Sequence, residues 1–248
     1  MKSKILKPVF RIILPLAFWL LAWQTIATLI DNSFLFAGIP ETLGALSVLL
    51  SDVGFYSAVL LSALRVILGL VIGIISGIIL AMLCNRFSLL SALILPIITV
   101  IKSTPVASFI VVLWVMMSGD VLSVFIGFLM VLPVITQNML DGYDAIDTEL
   151  SEVADIFGFS TIKRFRLLVF PTLKKYLVPA IITASGLAWK AEIAAEIIAY
   201  TKRSIGQGIN DAKYNMDTPT VFAWTVIIIT LSISLEGLTK YLLGRVKK

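Results

Sequence analysis

The sequence predicts an all-α polytopic membrane protein: six transmembrane helices, both termini cytoplasmic, and residues 1–248 forming one domain. Three observations carry this. Of the 248 residues, 59% are apolar and 14% charged, with a mean hydropathy of +1.02, too hydrophobic for a soluble domain of this length. Charge-free runs recur at lengths that cross a bilayer. The cations gather on one side of those runs.

The first run, 12–30, holds 19 residues, longer than a signal-peptide core and long enough to span hydrocarbon. The spans are then 10–30, 58–84, 94–117, 121–139, 177–198 and 218–239. Residues 87–119, interrupted only by Lys102, would make a helix of about 50 Å against a core of about 30 Å, so the third span starts at or outside the membrane surface. Ser118, Gly119 and Asp120 then turn the chain into span four.

With the N-terminus inside, the inner segments hold Lys2, Lys4, Lys7, Arg11, Arg86, Lys163, Arg164, Arg166, Lys174, Lys175, Lys240, Arg245, Lys247 and Lys248. The outer segments hold Lys202, Arg203 and Lys213. Fourteen cations against three set the orientation. The net charge of +5 therefore reflects topology, and nucleic acid is not an expected partner; membrane lipid is. A single cysteine, Cys84, and no histidine exclude an internal disulfide and the commonest metal ligand and general base.

In span two, Gly69, Gly73, Gly77 and Ala81 recur every four residues, a small-residue face suited to close helix packing. The cytoplasmic loop 141–175 is long and has its own helical pattern. Asp147 is placed to cap a helix with Leu150, Val153, Ala154 and Phe157 on one face and Glu149, Glu152 and Asp155 opposite. Gly158 suits its end. Ser160 then caps a second short helix that carries Lys163, Arg164 and Arg166 and is expected to break at Pro171.

These residues resemble the permease subunits of ATP-binding-cassette (ABC) importers. The signature there is Glu-Ala-Ala, three residues, Gly, nine residues, then Ile-x-Leu-Pro. Here Glu152-Val153-Ala154, Gly158 and Leu168-Val169-Phe170-Pro171 stand at those spacings. The resemblance continues through Ser62-Ala63-Leu64-Arg65-Val66 and through 188–196, and looks most like the nitrate, sulfonate and taurine branch. It implies a type I importer permease fold and a coupling helix at 149–158 that seats in an ATPase subunit. It also implies a second permease copy, with a homodimer expected, and an extracytoplasmic solute-binding protein in a prokaryotic cell membrane. No cofactor is expected in this chain: ATP and Mg belong to the partner ATPase, and no G-x-x-x-x-G-K-[ST] phosphate loop occurs here. Sulfonates, nitrate-like anions and heterocyclic vitamin precursors all stay open as solutes.

Arg65, Lys102, Lys190, Glu192, Glu196 and Glu236 lie in or near spans, where an unpaired charge costs on the order of 3 kcal/mol. Glu236 and Lys240 form an i, i+4 pair. Glu192 and Glu196 share a face and repel, so Arg65 or Lys102 is expected to bridge to them. Lys190 falls about 18 Å into span five, where pathway lining and structural pairing are both open. Lys102-Ser103-Thr104-Pro105 marks a kink or gate, with Lys102, Thr104, Pro105, Lys190 and Glu192 the candidate pathway residues. The rival class is an ion-gradient-driven transporter or channel that couples through Lys190, Glu192 and Glu196.

Overall fold

The computed structural model describes residues 3–245, and side chains within 13–244. Lys2, Lys247 and Lys248 of the inner cation set lie outside the described residues. The described chain is helical in order: α1 (Ser3–Ile30), α2 (Ile39–Ser51), α3 (Val53–Arg86), α4 (Ser88–Ser103), α5 (Val106–Trp114), α6 (Gly119–Asp144), α7 (Thr148–Ile156), α8 (Thr161–Arg164), α9 (Phe170–Ile198), α10 (Ile205–Tyr214) and α11 (Thr218–Arg245). A π-helical segment, Phe165–Val169, joins α8 to α9.

The core is the contact of α6 with α3 on one side and α9 on the other. Leu122, Ile126, Val131 and Ile135 of α6 are fully buried there. The small face of α3 makes the approach close. A Cβ on Gly73 would stand 2.6 Å from Val131 Cβ, and one on Gly77 2.8 Å from Ile135 Cβ. Ala81 is fully buried on the same face. Gly73→Leu should therefore force α3 and α6 apart and cost about 1–3 kcal/mol. Thermal unfolding in detergent reads this directly, and an unchanged midpoint would contradict the packing account.

The third span breaks at Lys102–Pro105, where the kink was expected, and more sharply than a kink. It is two helices, α4 and α5, bent by 99°. Pro105 has no N–H to donate and forces Thr104 into extended backbone, ψ 132°. Thr104 closes α4 through its N–H and Oγ1, which both donate to the Val100 carbonyl at 3.0 and 2.7 Å. The pair still crosses the bundle. A polar cleft lined by Arg86, Ser88, Gln137 and Asp144 sets the start of α4 beside the end of α6, whereas Ile110 of α5 packs in one cluster with Leu122 near the start of α6. Among the described residues, five helices long and apolar enough to span, plus this broken one, make six.

Two further elements differ. α2 has no counterpart among the expected spans, because 13 residues are too few to cross. It packs between α3 and α11, and Trp23 Nε1 and Gln24 Oε1 tie α1 to its start through the Ala37 carbonyl (2.9 Å) and the Ile39 N–H (2.8 Å). Pro171 does not end the helix begun at Thr161. The wider π turn, in which the Phe170 N–H reaches the Phe165 carbonyl, absorbs the proline at the head of α9, and Thr161–Ile198 runs on as one element. The loop 141–175 is thus mostly helix.

Candidate functional site

Two constellations stand out, one at each end of the bundle. At the first, α7 is held off the ends of α6 and α9. Asp147 accepts the Glu149 and Leu150 N–H groups at 2.8 and 3.2 Å. At its other end Gly158 takes φ +61°, which lets the Gly158 N–H reach the Asp155 carbonyl (3.0 Å) and the Phe159 N–H reach the Ala154 carbonyl (2.9 Å). This double closure is the Schellman motif. Ser160 then caps α8 through the Lys163 N–H at 3.4 Å.

Arg164 locks the two helices together. It pairs with Asp155 at 2.6 Å and also donates to Ser151 Oγ, while Lys163 Nζ lies 3.9 Å from the Phe159 ring centroid. Sequence reasoning placed Arg164 only in a basic surface. Of the expected apolar face, Ala154 alone turns inward, and Leu150, Val153 and Phe157 stand exposed beside Ile156. Glu149 and Glu152 are also exposed. Leu168 is half-buried in the π segment, and Pro171 is exposed on α9. The result is a helix closed at both ends that shows solvent an apolar patch 74% exposed at Phe157 and 81% at Ile156. Arg164→Ala should loosen this joint and speed proteolysis between α7 and α8, without altering the span helices; equal cleavage rates would count against the clamp.

At the opposite end, where α10 lies, Arg65 of α3 binds Glu196 of α9 at 3.0 Å and Asp120 of α6 at 2.6 Å. Ser62 Oγ donates to Glu196 Oε2 at 2.7 Å, as does the Gly206 N–H of α10 at 3.3 Å, and the Ile205 N–H donates to Ser62 Oγ at 3.0 Å. One buried carboxylate therefore staples three helices. From the sequence Asp120 is a turn residue, and its pairing with Arg65 depends on a three-dimensional approach that no local pattern signals.

The expected bridge is half present. Arg65 meets Glu196, but Lys102 meets neither carboxylate, and Glu192 has no hydrogen-bond partner at either oxygen among the described residues although it is 1% exposed. Lys190 and Glu192 do not come together, since two residues along a helix turn side chains to opposite faces. Lys190 is exposed on α9 in a stripe with Thr183 and Leu187. Among the described residues Lys190 forms no salt bridge; Glu236 lies within its electrostatic reach but is held by Lys240 at 2.6 Å, the i, i+4 pair read from the sequence. Lys102, Thr104 and Pro105 sit at the α4–α5 bend, with Lys102 and Pro105 exposed.

A multi-pass helical bundle that carries an amphipathic helix at one end has the layout of a membrane subunit built to meet a soluble partner. Residues 69–248 match the family described as binding-protein-dependent transport system inner membrane component. The chain belongs to this family, the permeases of ABC importers. Its fold is similar to the crystal structure of an amino acid ABC transporter with histidines, with TM-score 0.64 and 16% identity over 77% of this chain and 94% of that one. At that identity the likeness speaks for the fold alone. No curated protein matches the sequence.

Proposed function

We infer that this permease is coupled through α7 to a separate ATPase that binds ATP and Mg, and carries no ATPase site of its own. The observation that supports this most is the exposed apolar patch of Leu150, Val153, Ile156 and Phe157 on a helix fixed at both ends. Its acidic flank, Glu149, Glu152 and Asp155, argues against adsorption to anionic lipid and for a protein groove. In this reading the α7 end and both termini face the cytoplasm of a prokaryotic cell. The α10 end receives solute from an extracytoplasmic binding protein, and two permease copies, identical in the simplest case, frame the pathway.

For the solute, the α9 stripe is the guide. A cation facing lipid at this depth costs on the order of 3 kcal/mol, so a water-filled pathway is the better setting for exposed Lys190. A small anion, sulfonate-like, nitrate-like or taurine-like, suits it, with a heterocyclic vitamin precursor as the alternative. The coupling is tested by co-purification of the ATPase with full-length Glu152→Lys and Phe157→Asp chains from membranes. Both should insert normally and lose the ATPase at least tenfold; unchanged recovery with both would rule out docking through α7.

A further inference from the structure

Glu192 is the least comfortable side chain in the fold. Both its oxygens are buried without a donor among the described residues, and leaving such a group unpaired costs free energy in either protonation state. Its room comes from two glycines. A Cβ on Gly127 of α6 would stand 2.7 Å from Glu192 Cγ, and a Cβ on Gly69 of α3 would collide with its carboxylate. One turn away on α9, Glu196 holds all the donors, and one turn away from Gly69 on α3 stands Arg65, which supplies the charge. α3 and α9 run in opposite directions, so the pairs Arg65–Glu196 and Gly69–Glu192 are successive rungs about 6 Å apart.

We propose that Glu192 is a positioning residue for alternating access, a second seat that Arg65 takes when it leaves Glu196 and Asp120. Gly69 presents no side chain between the two seats, and an arginine side chain is long enough to reach one turn along its own helix. In the present arrangement Arg65 ties α3 to α6 and α9 at the α10 end and keeps that end closed. When Arg65 moves to Glu192, Asp120 and Glu196 are released and the α10 end opens. Asp120, 69% exposed, is the member that a ligand or partner at that end reaches first. Partner exchange between two packed arrangements is a recognised switching device, and orphaned buried groups in native folds call for such an explanation.

The proposal rests on the importer reading only for the meaning of the motion; the exchange itself is tested on the permease alone. Spin labels at Tyr56→Cys of α3 and Val121→Cys of α6, both exposed, in a Cys84→Ser background report the separation of the helix ends in lipid nanodiscs. Glu196→Gln should move at least half of the molecules to a longer distance as Arg65 turns to Glu192. Adding Glu192→Gln should return the distance to that of the unsubstituted pair, while Glu192→Asp in its place should not. If Glu196→Gln leaves the distance unchanged, or the longer distance persists in the double variant, the exchange is wrong and Glu192 is static packing. Should Glu196→Gln fail to fold, the comparison is made in Asp120→Asn, which leaves Arg65 tied to Glu196: there the added Glu192→Gln must shorten the distance, and a distance indifferent to Glu192 overturns the exchange. ATPase co-purification scores the coupling reading separately, so either can fail alone.

Discussion

Arg65→Met should lower the stability of the detergent-solubilised protein by about 3–5 kcal/mol, because it strands Glu196, 1% exposed, without its counter-charge. Most of this cost is the desolvation of the remaining carboxylate rather than the lost attraction. The double variant Arg65→Met with Glu196→Gln should therefore recover much of the loss, as the amide still accepts from Ser62 and the Gly206 N–H. Asp120→Asn alone should cost under about 1 kcal/mol, as expected for a pair with one exposed member. Thermal unfolding of the three variants is the check. Equal destabilisation by the single and double variants would mean that Arg65 contributes by packing and not by neutralising Glu196.

The second large effect is expected at Gly158. No atom stands within 4 Å of where its Cβ would be, so size is irrelevant there and only the backbone counts. At φ +61° a β-branched side chain is strained by about 1–2 kcal/mol, whereas asparagine tolerates this region. Gly158→Val should unwind the last turn of α7, release the clamp to α8 and abolish ATPase recovery. Gly158→Asn should keep most of it. Binding of the purified ATPase to each chain in nanodiscs separates the cases; equal affinity for both variants would show that the left-handed turn is not what orients α7.

Much of the architecture was legible because membrane spans announce themselves by length and charge. The caps at Asp147 and Ser160, the glycine ending of α7 and the small face of α3 follow from local stereochemistry and fall where the pattern put them. What escaped depended on three-dimensional approach. A break was legible at both Pro105 and Pro171, but the size of the first, 99°, and the π turn that absorbs the second are opposite outcomes of the same residue type, decided by whether the preceding turn breaks or widens. Arg65 was expected to meet a glutamate, but the choice of Glu196 over Glu192 depends on the register of α3 against α9, which no spacing in either helix states. The exposure of Lys190 was likewise hidden, since depth along a helix says nothing of which way a face turns.

In the proposed coupling, α7 is the surface on which a soluble ATPase sits. The most direct test of this is photo-crosslinking in intact membranes from Phe157→benzoylphenylalanine, at a position 74% exposed. The account predicts a single protein adduct, identified by mass spectrometry as a P-loop ATPase and lost when Glu152→Lys is added. Adducts confined to lipid, or an ATPase adduct that persists unchanged with Glu152→Lys, would contradict it.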